Sequence, residues 1–333
     1  ETPVFPVKTE VAGKSVKEKL QKIQDYLAEN ELDYYLFSAL DEIAWLYNIR
    51  CKDIPYNPVA ISYAIVGREH SYWFVKQRKV SQEIVSLLKN EGIEIRDYHH
   101  LFLFLEELPQ TARFSVDTNT LNFAVYHKIA SKFPVTEKES PVILAKAVKN
   151  AIEIAGIREA CIKDSVALTK FFYWMESNID NHLTETSVSD KLTALRAENE
   201  GYISDSFGNI SAYGKNAALP HYSAVRGKDA ELQARGLYLV DSGGQYTHGT
   251  TDVTRTIPLG ELTDQEKEDY TLVLQGMIDL SLCRFPKGTS GCNIDIIARQ
   301  PLWQRLKNFG HGTGHGIGFF LNVHEGPQAI RQD

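Results

Sequence analysis

Three histidines and several glycines are concentrated in the segment FGHGTGHGIGFFLNVHEGP, residues 309–327. Histidine is the commonest metal ligand in proteins, and its side chain is the usual proton donor or acceptor near neutral pH. Glycine lets another group approach the backbone closely, because it has no Cβ. The arrangement of His311, His315 and His324 among these glycines therefore indicates a chemical site, either a metal centre or an acid–base centre.

Two aspartates in a second segment, GLYLVDSGGQYTHGTTDVTRT at 236–256, suit the same site. A buried strand ends at Asp241, turn residues follow, and a second strand contains Asp252. We expect a hairpin that folds at the glycines and brings the two carboxylates close together. Carboxylates at that separation repel each other unless a cation lies between them. Aspartate and neutral imidazole together suit Mn, Co, Zn or Fe.

Each of these features also has a simpler interpretation. An isolated DSGG is most often only a turn, and a single histidine beside a glycine is more often a hydrogen-bonded filler than a ligand. Asp252 could instead pair with Arg255 at the surface, which would contribute little to stability. The two motifs occur together with PHYS at 220–223 in one chain, and this combination favours the chemical interpretation.

The elements that must position these residues form two regions. Up to about residue 132, short strands alternate with amphipathic helices such as the one at 14–30, which is typical of an α/β domain. A polar segment with two prolines, 132–143, interrupts the pattern. Beyond it the sequence predicts one long helix at 145–177. Further helices at 187–199 and near 264–283 flank a region of strands and turns.

The composition excludes several classes of protein. A length of 333 residues suffices for two domains, and the net charge of −7 argues against binding to nucleic acid or to an anionic membrane. No apolar run approaches the roughly 20 residues of a membrane span. The four cysteines are far apart and form no CxxC motif, so we expect free thiols in a reducing compartment. We therefore expect a cytoplasmic protein.

The motifs together resemble aminopeptidase P, the X-prolyl aminopeptidase of the pita-bread metallopeptidase family, and above all its cytosolic three-domain type. The resemblance extends over the whole chain and includes LDEIAWLYNIR at 40–50 and FGNISAYGKNAALPHY at 207–222. It implies an α/β creatinase/prolidase N-terminal-like domain at 1–140. An α+β pita-bread catalytic domain, incomplete at its C-terminus, is implied at 141–333.

The resemblance also implies an activity and its metal ligands. The family removes the N-terminal residue from peptides that have proline in the second position, by attack of a metal-bridging hydroxide on the Xaa–Pro bond. The cofactor would be two divalent ions, most often Mn, with Co or Zn as alternatives. By position, Asp241 would bind one ion, Asp252 would bridge both, and His315 would bind the other.

Four further residues are implied to act on the substrate. His221 and His324 would be the catalytic histidines that are not ligands, and both would contact the peptide. His311 would help to form the pocket on the proline side, and Phe207 would line the subsite for the N-terminal residue. His248 matches no functional position of the family, and we interpret it as a surface residue.

The family completes its metal centre with two glutamates that follow the histidine motif by several tens of residues, beyond Asp333. The start of the chain also aligns with the middle one of three domains. We therefore expect these residues to be a fragment of a longer enzyme, truncated at both ends, and such a fragment can be inactive alone. We also expect a homodimer formed through the catalytic domain.

Three alternatives share this fold. A prolidase would use the same ligands but cleave only Xaa–Pro dipeptides. Creatinase works without metal and would not need the pair Asp241 and Asp252. A non-catalytic pita-bread interaction protein would have lost ligands, whereas the expected aspartates and His315 are all present.

Overall fold

A computed structural model of the protein describes residues 2–332. The chain divides into two compact units, one formed by Glu1–Arg158 with Phe319–Asn322 and the other by Glu159–Gly318 with Val323–Asp333. Across the described residues, no helix is both long and apolar enough to cross a membrane. All four cysteines are free thiols, as predicted.

The first unit is built on a six-stranded sheet with helices on its faces. Its elements in chain order are β1 Phe5–Pro6, α1 Thr9–Ala12, α2 Val16–Glu29, β2 Tyr34–Phe37, α3 Leu40–Leu46, β3 Ile49–Arg50, β4 Ser62–Gly67, β5 Ser71–Val75, α4 Gln82–Asn90, β6 Ile93–Asp97, α5 Leu101–Glu107, β7 Phe114–Val116, α6 Phe123–Ala130, β8 Val135–Glu137 and α7 Pro141–Ala147. The strand order is β6-β5-β4-β2-β7-β8. The sheet is mixed, because β2 and β5 each have one parallel and one antiparallel neighbour.

Alternation of side chains along the strands produces two separate apolar cores. Tyr35 and Phe37 of β2 belong to one buried cluster, whereas Leu36 between them belongs to the other. The first cluster also contains the predicted apolar face of α2, whose side chains are all buried: Val16, Leu20, Ile23 and Leu27. The N-terminal region is therefore the α/β structure that the sequence predicts.

Two expectations for the middle of the chain need correction. The segment 132–143 is not irregular throughout, because it contains the edge strand β8, which pairs in parallel with β7. The long helix predicted at 145–177 is two helices, α7 and α8 Ala151–Glu176. Asn150 causes the break: its Oδ1 accepts hydrogen bonds from the N–H groups of Ile152 and Glu153. Such side-chain capping favours a new helix start.

The second unit combines helices with three small antiparallel sheets. Its elements after α8 are α9 Glu185–Ala197, β9 Tyr202–Asp205, β10 Ile210–Tyr213, β11 Leu237–Ser242, β12 Gly244–Tyr246, β13 Gly249–Thr250, β14 Val253–Pro258, α10 Asp264–Leu282, α11 Gly291–Trp303, β15 Gly314–Gly316 and β16 Glu325–Ile330. The sheets have the orders β10-β11-β14, β13-β12-β9 and β15-β16. An apolar cluster buries Phe171 of α8 and Leu192 of α9 with Val240 of β11.

Candidate metal centre

The predicted hairpin exists, but its turn lies elsewhere. Strands β11 and β14 are antiparallel, with Asp241 opposite Thr254. The chain does not reverse at the glycines: it continues through β12 and β13, which pair through Gln245 with Thr250 and Tyr246 with Gly249. The turn is therefore at Thr247 and His248. His248 is not the surface residue that we expected, because only 17% of its side chain is exposed.

Gly243 directly follows β11, at the point where the chain leaves the pairing with β14. A Cβ added there would overlap the backbone oxygen of Thr251 and the hydroxyl of Ser206. The Thr251 side chain also accepts a hydrogen bond from the N–H of Gly244 at 2.8 Å. This close backbone approach, and not a reverse turn, requires the glycine. It fixes the path of the chain between Asp241 and Asp252.

Asp241 has an oxygen without a hydrogen-bond partner. Its Oδ1 is buried and, among the described residues, has none. Burial raises the pKa of the Asp241 carboxyl, the Thr254 hydroxyl lowers it by hydrogen bonding, and the charge of Asp252 raises it again. A buried carboxylate oxygen without a donor is costly unless a cation satisfies it. The two aspartates are thus close enough to repel, as the sequence predicts.

His315 lies on β15 and presents one ring nitrogen to Asp252. Its Nδ1 is 2.7 Å from the backbone oxygen of Gly316. A carbonyl can only accept, so Nδ1 must carry the proton. Its Nε2 is 3.3 Å from Oδ2 of Asp252. This hydrogen bond is the largest of the influences that raise the pKa of His315.

The distance between these two atoms is suitable for a shared metal ion. With metal–ligand bonds of about 2.1 Å, neighbouring ligand atoms lie about 3.0–3.4 Å apart in octahedral or tetrahedral geometry. The hydrogen bond to Asp252 requires a proton on Nε2. If a cation replaced that proton, His315 would stay protonated at Nδ1 and the lone pair of Nε2 would be directed towards the cation. The chemistry of this donor set and the unsatisfied oxygen of Asp241 therefore both fit a divalent cation.

His324 is the third member of this cluster. Ligand atoms of Asp252, His315 and His324 all lie within 4.8 Å of one another, and all three residues are exposed. The rings of His315 and His324 are 4.4 Å apart in an edge-to-face arrangement. Burial lowers the pKa of His324, and the charge of His315 lowers it further. Within residues 2–332, Asp241 is not part of this three-residue cluster, although its charge acts on His315.

The remaining predicted residues, His221, His311 and Phe207, are not members of this three-residue cluster. The charge of His221, an exposed residue, contributes to lowering the pKa of His324. His311 is also exposed, and its charge lowers the pKa of Asp241. Its Nδ1 donates to the backbone oxygen of Gly312 at 2.8 Å. Phe207 is half-buried in the connection between β9 and β10.

A buried ion pair that the sequence analysis missed supports the histidine loop. Arg299 of α11 donates to Asp295 at 2.6 Å, and also to the backbone oxygens of Phe309 and His311, both at 2.7 Å. Asp295 additionally accepts from the Thr313 hydroxyl at 2.6 Å. The spacing of four residues on a helix was a usable signal, because it places the two side chains on one face.

A second missed ion pair supports the end of β11. Arg196 and Asp164 are almost fully buried and share two hydrogen bonds, of 2.6 and 3.1 Å. Arg196 also donates to the hydroxyl of Ser242 at 2.9 Å, directly after Asp241. Nothing in the spacing of these residues indicated the contact, because they are brought together only by the packing of α8, α9 and β11.

The fold and the cluster together agree with the family to which the chain belongs. The chain belongs to metallopeptidase family M24, whose model matches residues 155–333, and residues 1–153 match the creatinase/prolidase N-terminal domain. The predicted fold class, a creatinase-like N-terminal domain followed by a pita-bread catalytic domain, is confirmed.

Curated relatives carry a more specific name. The chain is 42% identical over 338 residues to a probable Xaa-Pro aminopeptidase P from Coccidioides posadasii and 41% identical over 340 residues to one from Sordaria macrospora. Each alignment covers 98% of this chain and 55% of the relative. The chain thus spans about half the length of the curated relatives it matches.

Solved structures agree with these relatives. The X-prolyl aminopeptidase from Caenorhabditis elegans, described as a cytosolic enzyme with a di-nuclear active site, superimposes with a TM-score of 0.92 at 34% identity. The match covers 99% of this chain and 55% of that one. The prolidase from Pyrococcus horikoshii shares the fold, with a TM-score of 0.71 at 24% identity over 95% of this chain and 85% of its own.

Proposed function

We propose that the protein is a metal-dependent Xaa-Pro aminopeptidase, which removes the N-terminal residue from peptides with proline in the second position. The observation that carries this proposal is the convergence of Asp252, His315 and His324, whose ligand atoms lie within 4.8 Å of one another. Membership of family M24 and the names of the relatives support it.

Three residues are proposed to hold two divalent ions. Asp241 would bind one ion through its unsatisfied Oδ1, Asp252 would lie between the two, and His315 would bind the other through Nε2. Such ions, when bound, polarise a carbonyl oxygen and lower the pKa of water. We propose manganese, with cobalt or zinc as alternatives, because carboxylate and imidazole ligands suit all three.

The protein's own side chains would orient the peptide. An Xaa–Pro bond has no N–H, so recognition must rely on the carbonyl oxygen, the terminal amine and the proline ring. His324, next to the cluster, would donate a hydrogen bond to the substrate carbonyl, where one preorganised donor contributes roughly 3–4 kcal/mol. His221 would contact the peptide near the departing proline. His311 would border the proline pocket, and Phe207 would border the subsite for the N-terminal residue.

A peptide assay tests this function. The protein, extended to include the two glutamates that the family places beyond Asp333 and loaded with manganese, is expected to release the first residue from a longer peptide that begins Xaa–Pro. Cleavage of the dipeptide Ala-Pro alone would instead identify a prolidase. Absence of cleavage of either substrate, with manganese bound, would contradict the proposed activity and indicate an interaction protein.

We further propose that the protein is cytoplasmic, because its relative from Caenorhabditis elegans is described as cytosolic and because its four cysteines are free. We also propose a homodimer. Light scattering of the purified protein tests the second point, and a monomer at micromolar concentration would contradict it.

A further inference from the structure

His221 lies on a long connection between two paired strands. Strands β10 and β11 are hydrogen-bonded neighbours, yet the chain between them, 214–236, makes a wide excursion. Apart from isolated β-bridges at Glu231 and Arg235, its regular structure is one short 3₁₀ helix, Gly214–Ala218. Connections of this length inside a compact domain are uncommon and often functional. A defined position of His221 therefore requires contacts that attach the excursion to the rest of the unit.

The carboxylate of Glu185 contacts this excursion at several points. Glu185 is the first residue of α9 and is completely buried. Its Oε1 accepts from the backbone N–H of Tyr213 at 2.7 Å and from Asn216 Nδ2 at 2.9 Å. Its Oε2 accepts from the hydroxyl of Tyr222 at 2.6 Å and from the backbone N–H of Ala230 at 3.0 Å. One side chain thus binds the last residue of β10 and three points along the excursion, from Asn216 to Ala230.

The returning part of the excursion is attached to the same helix start. The N–H of Glu185 donates to the backbone oxygen of Ala230 at 3.1 Å. The N–H and the hydroxyl of Thr186 both donate to Asp229, at 3.0 and 2.6 Å. These hydrogen bonds lower the pKa of the Asp229 carboxyl, against the effect of burial. The start of α9 therefore serves as the anchor of the whole connection.

All four donors to Glu185 are neutral groups. A buried carboxylate is stable only when its oxygens are saturated by hydrogen bonds, and its position in the first turn of a helix adds a favourable dipole. The dependence is mutual, because opening the excursion would leave the charge without donors. This mutual dependence disfavours partial opening of the excursion. Replacing the carboxylate is therefore expected to destabilise the excursion more than removing a single hydrogen bond would.

We propose that Glu185 is a positioning residue that keeps the excursion 214–236 closed against the start of α9. In this way it would present His221 to the peptide. The kinetic consequence rests on the proposed peptidase function, whereas the closure of the connection does not. His221 is connected to this arrangement through its chain neighbour Tyr222, whose hydroxyl donates to Oε2 of Glu185. Glu185 itself would touch neither substrate nor metal.

The first experiment measures backbone hydrogen exchange in Glu185→Gln. The amide cannot accept from all four donors, because one of its two ends donates. We expect faster exchange of the amides at 219–232, with β11 and β14 as protected as in the wild type. Tyr222→Phe removes one bond only and covers the case in which the first variant does not fold; it should show a weaker form of the same effect. Unchanged exchange in both variants would overturn the proposal.

The second experiment is a double-mutant cycle on peptide cleavage. Glu185→Gln is expected to lower kcat/KM about tenfold or more, as misplacement of a contact group does, without changing manganese content. In a His221→Ala background the same substitution should have little further effect. Glu198→Gln, an exposed residue of the same helix region paired with Lys170, is the control. Additive losses would contradict an action through His221. If the wild type has no activity, the proposed function fails, while hydrogen exchange still decides the role of Glu185.

Discussion

Nε2 of His315 lies 3.3 Å from Oδ2 of Asp252, although α10 and α11 separate the two residues in the chain. The Nδ1 proton of the same ring is committed to the backbone oxygen of Gly316. The two contacts fix both the orientation and the tautomer of His315. A residue held in this way is prepared to share a cation with the neighbouring carboxylate.

The backbone approach at Gly243 predicts a large loss of stability in Gly243→Ala. The new Cβ would overlap the backbone oxygen of Thr251, which cannot move without breaking the contact between Thr251 and Gly244. Overpacking of this kind costs about 1–3 kcal/mol or more. Chemical denaturation measures it. Gly310→Ala, where a Cβ meets nothing within 4 Å, is the control. Equal stability of the two variants would show that the close approach is unimportant.

The buried ion pair of Arg299 and Asp295, which supports the histidine loop, predicts that Arg299→Met destabilises the second unit. The substitution leaves the buried Asp295 without its charged partner and frees the backbone oxygens of Phe309 and His311. Breaking one side of a buried pair costs about 3–5 kcal/mol. Arg305→Met, which removes an exposed partner of Glu268, should cost about 1 kcal/mol or less. Thermal unfolding of both variants tests the contrast, and similar midpoints would refute it.

Glu42 predicts a pH dependence of the stability of the first unit. Burial raises the pKa of this carboxyl from 4.5 to about 7, against a hydrogen bond from Ser140 that lowers it. The folded state then holds a proton that the unfolded state has lost between pH 4.5 and 7, so the stabilisation present below pH 4.5 declines across that window. Glu42→Gln should remove this decline. Relative to the wild type, the variant should gain about 3 kcal/mol above pH 7. A difference independent of pH would contradict the assignment.

The sequence predicted the elements whose patterns are local. The apolar face of α2 is read directly from residue spacing, because it depends only on the period of the helix itself. The pairing of β11 with β14 followed from an apolar run and an alternating segment that flank turn residues. The expected domain limits at 1–140 and 141–333 and the expected site residues stay predictions.

The rest depended on contacts between distant parts of the chain. Gly243 looked like a turn residue, and only the approach of Thr251 reveals its role. The end of α7 depends on a cap from Asn150 that competes with a good helical pattern. The role of the buried carboxylate of Glu185 could not be predicted, since three of its four donors come from a connection without any periodic pattern.

Manganese binding tests the central claim most directly. Isothermal titration of the metal-free protein should show that Asp252→Asn weakens manganese affinity about 100-fold or more, because the variant keeps the size of the side chain but loses the charge between Asp241 and His315. Asp264→Asn, at the exposed start of α10, should bind as the wild type does. Wild-type affinity in Asp252→Asn would contradict a metal centre built on Asp252 and His315.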